Sequence, residues 1–456
     1  MARERVLVVG AGGREAALAW RLALDPESPE VWLAAESAGG APRFPRLPID
    51  MRDTRGLADA CQREGFALVV IGPEVPLAAG IVNELTGAGV LVYGPSREAA
   101  RLESSKWFAK QVMLEAGVPT ARAEAFESMD EARAGLERFD PPYVIKVDGL
   151  AAGKGVCVAN DRATAEQSLS ECLERQRFGS SGRRVVIEAF LEGEEVSLMA
   201  VCDGRAFLML PPVRDYKRAE DGDRGGNTGG MGAYAPSEAL DGGLEREVGR
   251  QVIAPMLEAM ERRGTPYRGT LYCGLMVRGR DFQVVEFNAR FGDPEAQVVL
   301  PLLGGSLSRL LASAARGRLD RRAVERRGGH AVVVALVDAG YPDRSHGGGV
   351  IEGLESVGTD RVQVFHAAGV IGPGGLRVAG GRAAHVMAHA STKAEARRRV
   401  YDAIGSLGGS GWRFRHDIAW DREDTRSVVA AGEEEDVAHP SASGAREARA
   451  ASEGER

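Results

Sequence analysis

The sequence predicts a multidomain protein of mixed α/β and α+β class, on three observations. A chain of 456 residues has room for roughly three domains at ~150 residues each. Its first hundred residues alternate short apolar runs with helical stretches, the pattern of a parallel sheet covered by helices. Beyond residue 104 the rhythm changes twice: a small alternating unit spans 121–190, and a fresh apolar strand opens at 330.

The elements follow in order. Strands are expected at 5–10, 30–35, 67–72 and 89–93, with a helix opened by Gly10–Glu15 that runs to about Leu24 and helices at 54–64 and at 76–88. This first domain should end near Glu103. A helix is expected over 104–117. The 121–190 unit should contain strands at 143–147, 155–159 and 184–188 and a helix at 161–176. A larger block, 191 to about 327, holds several strands. Residues 330–424 form a C-terminal mixed domain. From Asp421 the chain turns Glu-, Ser- and Ala-rich, too poor in apolar residues to order itself, so 425–456 read as a disordered acidic tail.

Composition excludes several function classes. No apolar run approaches the ~18 residues a membrane span needs; the longest lies at 331–337. The chain enters its first strand almost at once, so no signal peptide is expected and a cytoplasmic location follows. The cysteines (Cys61, Cys157, Cys172, Cys202 and Cys273) form no CxxC pair, which fits reduced thiols and argues against zinc. A formal net charge of −7 offers no basic footprint for nucleic acid.

The chemistry concentrates in a few segments. In Val284-Val285-Glu286-Phe287-Asn288-Ala289-Arg290, strand alternation would put Glu286, Asn288 and Arg290 on one face, with Val285 and Phe287 on the other. A carboxylate and an amide oxygen suit Mg²⁺, and the guanidinium suits a phosphate or carboxylate; a solvated edge strand would show the same pattern. Gly149–Val156 is a glycine loop with Lys154, able to aim amides at phosphate, although its spacing is not that of a Walker A loop. A hairpin turn is the other reading. Lys146 sits among Ile145 and Val147, where it would either meet a polyphosphate or snorkel to solvent. After the 184–188 strand, backbone at Glu188, Ala189 and Leu191 could read adenine, and Glu195 could accept ribose hydroxyls; a solvated turn would also be rich in glutamate. The charged glycine-rich stretch 214–234 is either functional or disordered.

Gly12-Gly-Arg-Glu15, Gly72-Pro-Glu, Glu103-Ser-Ser-Lys106, Lys146-Val-Asp-Gly-Leu-Ala-Ala-Gly-Lys-Gly155, Asn227-Thr-Gly-Gly-Met-Gly-Ala-Tyr234 and Glu286-Phe-Asn-Ala-Arg-Phe-Gly-Asp-Pro-Glu295 occur in this order. The ordered set, from about 5 to 420, resembles the phosphoribosylamine–glycine ligase family of the ATP-grasp superfamily. The resemblance implies a Rossmann-like N-terminal domain (1–103), an ATP-grasp domain (104–329) with its lid at 121–190, and the C-terminal domain (330–424). It implies ATP bound by Lys106, Lys146, Gly153, Lys154, Gly155, Glu188, Ala189, Leu191 and Glu195. Glu286 and Asn288 would hold Mg²⁺ or Mn²⁺. Gly12, Gly13, Arg14, Glu15, Asn227, Thr228, Gly229 and Arg290 would meet glycine and 5-phosphoribosylamine, with Arg290, Asp215 and Lys217 in catalysis. The expected reaction joins glycine to the amine through glycyl phosphate, in purine biosynthesis, on a monomer. Departures from the family pattern fall on the acceptor side: Ala16 for His, Glu36-Ser37-Ala38-Gly39 for Gly-Asn-Ala-Gly, Arg214 and Tyr216 within Gln-Asp-His-Lys-Arg, and Gly226 for Pro. Another amine acceptor, or a non-catalytic ATP-binding paralogue, is the alternative. A dehydrogenase reading of Gly10-x-Gly12-x-x-Glu15 lacks the third small residue. All seven histidines lie at or after His330, so none adjoins these motifs in sequence. On a 383–388 strand, His385 and His389 would stand roughly 13 Å apart, too far for a metal pair.

Overall fold

Strand β1 (Arg5–Val9) enters helix α1 (Gly13–Ala23), followed by β2 (Glu30–Ala34), β3 (Arg46–Leu47), α2 (Thr54–Glu64), β4 (Leu68–Ile71), α3 (Glu74–Ala79), α4 (Ile81–Gly87) and β5 (Val92–Tyr93). This computed structural model describes residues 3–35, 43–151 and 153–420. The Glu36–Gly39 departure, Ala152 and the acidic tail lie outside the described residues. The five strands form one parallel sheet in the order β3-β2-β1-β4-β5, as the alternation predicts. β3 is an addition: two residues carry no periodicity to read.

After α5 (Arg101–Ser104), Ser105 caps α6 (Lys106–Ala116) by accepting from Phe108 N. Then comes the small unit: β6 (Ala123–Phe126), α7 (Met129–Leu136), β7 (Tyr143–Val147), β8 (Val156–Ala159), α8 (Arg162–Leu173) and β9 (Val185–Ala189). Its sheet, β6-β9-β7-β8, is antiparallel; β6 and α7 escape the sequence reading. The unit carries its own apolar core, including Phe126, Leu136, Ile145, Leu169 and Ile187. A body whose core is its own can rotate without opening another core, which is what a lid needs.

The body that faces it runs β10 (Glu194–Asp203), β11 (Phe207–Met209), β12 (Arg214–Asp215), β13 (Arg218–Glu220), β14 (Arg224–Asn227), β15 (Gly232–Ala235), α9 (Gly242–Val248), α10 (Ala254–Arg262), β16 (Arg268–Arg278) and β17 (Asp281–Asn288). It continues through α11 (Glu295–Val299), β18 (Leu303–Gly305), α12 (Leu307–Ala315) and β19 (Val324–Arg326). The sheet β11-β10-β16-β17 forms the floor. The stretch 214–234 is ordered, not a free loop: β13 and β14 make a hairpin, held by Arg415 through Arg218 O and Asp223 and by Arg413 through Ala219 O.

The C-terminal region has β20 (His330–Asp338), β21 (Val350–Glu352), β22 (Val362–His366), β23 (Gly369–Gly372), β24 (Gly375–Val378), β25 (Arg382–Ala390) and α13 (Lys393–Gly405). Its main sheet reads β12-β15-β20-β25-β22, so strands from the preceding block complete it across the 329/330 boundary. The N-terminal sheet also shares a core with the floor, where Leu7 and Val69 join Val112, Leu271 and Val284.

Candidate active site

Strand β17 is where sequence reasoning needs its first correction. β16 and β17 pair Gly274 with Glu286 but Leu275 with Val284, so Val285 is the extra residue of a β-bulge. Bulges re-aim side chains beside active sites. The bulge puts Val284 with Phe287 in the core, where strict alternation had put Val285. It also frees the Val285 carbonyl to accept from Lys146 Nζ at 3.0 Å. The strand ends at Asn288, so Arg290 lies past it and not on its face.

Glu286 stands in a ring of cations drawn from separate segments. Burial alone would raise its carboxyl, but Lys217, Lys146, Lys106 and Arg290 together hold it below the usual range. An ionised carboxylate beside the Asn288 amide is a hard-oxygen donor pair, which suits Mg²⁺ when phosphate and water complete the shell. The donor set therefore fits the divalent ion that the family resemblance implies.

Each lysine has its own anchor. Lys106 opens α6, and its Nζ donates to Gly149 O at 3.3 Å. Asp148 holds that corner by accepting from Ser105 Oγ (3.0 Å) and Trp107 N (2.7 Å). Lys146 is buried and does not snorkel. Its ammonium sits 3.0 Å from Glu188 Oε2, and Lys110 reaches the same oxygen at 3.3 Å. The Glu188 side chain is therefore a counter-ion for two lysines; only its backbone is left for an adenine hinge with Ala189 and Leu191. Burial brings the Lys110 ammonium down to about 8 against the pull of Glu188. Lys217 is paired with Glu195. Burial would lower Lys217, but Glu195, Tyr272, Glu286 and Asp215 around it raise it well above the usual lysine value. Glu195 thus engages Lys217 through one carboxylate oxygen.

Arg290 is likewise committed: its guanidinium is 3.2 Å from Glu74 Oε2 and 3.1 Å from Glu103 Oε1. Both carboxylates come from quoted motifs, Gly72-Pro-Glu and Glu103-Ser-Ser-Lys, and the sequence alone could not show that they meet Arg290. Asp215 is enclosed, and its Oδ1 has no hydrogen-bond partner among the described residues. Burial and the neighbouring Glu295 push its carboxyl well above the usual range. Glu295 accepts from Tyr272 OH (2.5 Å) and Ser197 Oγ (3.3 Å), two partners that sequence reasoning missed. Backbone alternation turns Tyr216 the other way. Its ring lies over Tyr234 and under Arg415, and its hydroxyl accepts from Ala419 N. The Tyr216 departure is a packing change in the C-terminal core.

The loop after β14 forms the far wall. Asn227 Oδ1 accepts from Arg218 (2.9 Å), Thr228 Oγ1 donates to Lys217 O (2.9 Å), and Gly229 N donates to Tyr341 OH (2.8 Å). The lid tip comes down on it: Gly153, held at φ +75°, faces Thr228 O. Lys154 Nζ reaches Pro342 O at 3.4 Å, so in this closed arrangement the lysine touches the C-terminal region.

Arg382 joins these pieces. It donates to Gly229 O (2.5 Å) and to Asp293 O (2.7 Å), and pairs with Asp293 Oδ2 at 2.7 Å. No local pattern marks it. Arg382→Ala should raise the apparent KM for the acceptor amine about 10- to 100-fold, since loosening a positioned loop misaligns it, while the KM for ATP stays within about twofold. Steady-state kinetics in each substrate measures the split.

At the start of α1, Glu15 accepts from Gly12 N (2.7 Å) and Arg14 Nε (2.6 Å), and Arg14 also donates to Phe291 O. Ala16, the departure beside them, is buried in the core. Gly13 packs so close to His385 that a methyl group there would overlap the imidazole ring. A histidine remote in sequence thus abuts the first motif. It is fully buried, 3.8 Å from Asp293 Oδ1, with both ring nitrogens unpartnered among the described residues. Burial brings its pKa down to about 4, so it is neutral when folded and takes up a proton on unfolding below its ordinary value of 6.5. The unfolded state then binds more protons, so this contribution is complete above about pH 6.5 and lost as pH falls toward 4. Wild-type Tm should fall across that window, and His385→Gln should flatten the slope in thermal melts.

A lid with a glycine loop, a floor strand with a carboxylate–amide pair and a lysine ring between them define an ATP-grasp enzyme, which uses ATP. Solved structures that share the fold include two of different enzymes. One is a biotin carboxylase domain of Hydrogenobacter thermophilus 2-oxoglutarate carboxylase (TM-score 0.69, 17% identity, 91% of this chain and 92% of that one). The other is phosphoribosylamine–glycine ligase of Thermotoga maritima (TM-score 0.78, 35% identity, 91% and 99%). The models of phosphoribosylglycinamide synthetase match as N domain over 4–103, ATP-grasp domain over 104–296 and C domain over 331–421. Phosphoribosylamine–glycine ligase of Streptomyces coelicolor is 44% identical over 419 residues, 91% of this chain and 98% of that protein. The Caulobacter vibrioides ligase is 42% identical over 422 residues, 92% and 99%. The chain belongs to the phosphoribosylamine–glycine ligase family, and is a carbon–nitrogen ligase.

Proposed function

We propose that this enzyme joins glycine to 5-phosphoribosylamine, forming glycinamide ribonucleotide, ADP and phosphate in purine biosynthesis. The observation that carries this reading is the meeting of the Glu286 lysine ring with the Asn227–Gly230 wall, through Lys217. The nucleotide and acceptor halves of the site are one continuous charge network.

Glu286 and Asn288 would hold Mg²⁺ or Mn²⁺, which when bound neutralises phosphate charge and orients it for transfer. Lys106 and Lys146 neutralise the phosphate oxygens, with Lys154 and the Gly153 and Gly155 backbone on the lid side. A glycine carboxylate oxygen attacks the γ-phosphorus, the bond to ADP breaks, and glycyl phosphate forms. Positioned cations account for such a transfer without a covalent enzyme intermediate. The amine nitrogen then attacks the acyl carbon and phosphate leaves. Asp215, in a buried site beside Lys217, would take the proton that nitrogen loses. Gly12, Gly13, Arg14 and Glu15 would face the phosphoribosyl group at the start of α1, where a helix N-terminus favours anions. Lid closure would keep water from the acyl phosphate.

The proposed enzyme is a monomer that acts on small-molecule substrates. Among the described residues no helix is long and apolar enough to cross a membrane. The test is phosphate release with Mg²⁺, ATP and glycine, with and without phosphoribosylamine generated in situ. Release should require both substrates and yield glycinamide ribonucleotide. Release with glycine and a different amine alone would assign another acceptor; ATP binding without turnover would leave a non-catalytic paralogue.

A further inference from the structure

A second cleft, of about 480 Å³, lies at the opposite end of α1 from the active site. Trp20 and Leu24 of α1, Pro301 and Met387 give it apolar walls, and Arg327 and Arg361 stand in its lining. It therefore draws on all three regions of the chain. Arg399 also lines it, but that guanidinium is already engaged by Glu395 and His389 O. Arg327 and Arg361 differ: neither has a carboxylate within ion-pair distance among the described residues. Both guanidinia are exposed and share one concave wall with an indole. Guanidinium forks match phosphate oxygens, an indole matches a planar base, and Asp360 in the same lining is an acceptor for ribose hydroxyls.

We propose that this cleft binds a nucleoside monophosphate and that its occupancy is felt at the acceptor site. Two elements reach from one to the other. α1 runs from Gly13, against His385, to Trp20, about 10 Å along the helix. β25 runs from Arg382, which holds Gly229 and Asp293, past His385 to His389 in the cleft lining. A ligand that draws Arg327 and Arg361 inward tightens the C-terminal sheet against α1 and so changes the setting of Arg382. None of the cleft residues takes part in the proposed ligation, and the binding test does not depend on turnover.

The probes are AMP and inorganic phosphate, titrated by calorimetry into the full-length protein with the nucleotide site filled by Mg²⁺ and a non-hydrolysable ATP analogue. AMP should bind, Arg327→Ala with Arg361→Ala should weaken it about 100-fold, and Trp20→Ala about tenfold, in line with two lost phosphate contacts and one lost stacking contact. Inorganic phosphate should bind more weakly and ignore Trp20→Ala. In the ligase assay, AMP should change the apparent KM for the amine in wild type but not in the double variant, whose activity without AMP should equal wild type. AMP binding unaltered in the double variant would overturn the site. Phosphate binding as tight as AMP would overturn the nucleotide assignment, and binding without any change in KM would overturn the coupling.

Discussion

Glu286→Gln should lower turnover by about three orders of magnitude or more at saturating Mg²⁺, because several kcal/mol of charge stabilisation at the phosphates depend on that carboxylate. The amide keeps the shape and one oxygen but removes the charge that balances Lys106, Lys146, Lys217 and Arg290. The far-ultraviolet circular dichroism spectrum should be unchanged and the melting temperature a few degrees lower, since the cation ring loses its counter-charge. Phosphate release within tenfold of wild type would remove Glu286 from the metal site. Loss of the folded spectrum would instead assign it a structural role.

Lys146→Met should act on both stability and rate. It breaks a buried ion pair with Glu188 and removes the donor to Val285 O. Breaking a buried pair costs about 3–5 kcal/mol when a lone charge remains. Lys110 still reaches Glu188, so the lower end of that range is expected. Turnover should fall about 10²- to 10³-fold, the loss typical of one preorganised charge-stabilising group. The double variant Lys146→Met, Glu188→Gln separates the effects. It also takes from the buried Lys110 its carboxylate partner, so it should be less stable still by denaturant titration, with turnover no better than that of the single variant. Wild-type turnover in Lys146→Met would make Lys146 a structural residue only.

Several elements were legible because their cause is local. The alternation of β1, β2, β4 and β5, the helix over 104–117, the strand at 143–147 and the glycine loop all follow from periodicity or from one residue type at one place. The order of the motifs likewise pointed to the family before any contact was known. β3 and β6 were missed because they are short, and short strands take their stability from neighbours more than from their own pattern.

The partnerships within the site were not legible. Lys146 with Glu188, Lys217 with Glu195, and Arg290 with Glu74 and Glu103 join segments up to 216 residues apart. A lysine in an apolar strand says that some anion is needed; it does not say which. The bulge at Val285 depends on how β16 is registered against β17, and that register belongs to the pair. His385 and Arg382 lie in a stretch that reads as an ordinary strand, yet they close over Gly13 and the Asn227–Gly230 wall. Sequence by itself determined the fold class, the family and the inventory of charged groups, because these rest on local conformational preference and on residue chemistry. The tertiary structure decided which charges neutralise one another, and that the C-terminal region completes the Asn227–Gly230 wall. Electrostatic interaction depends on distance in space and on burial, and neither is a property of position along the chain.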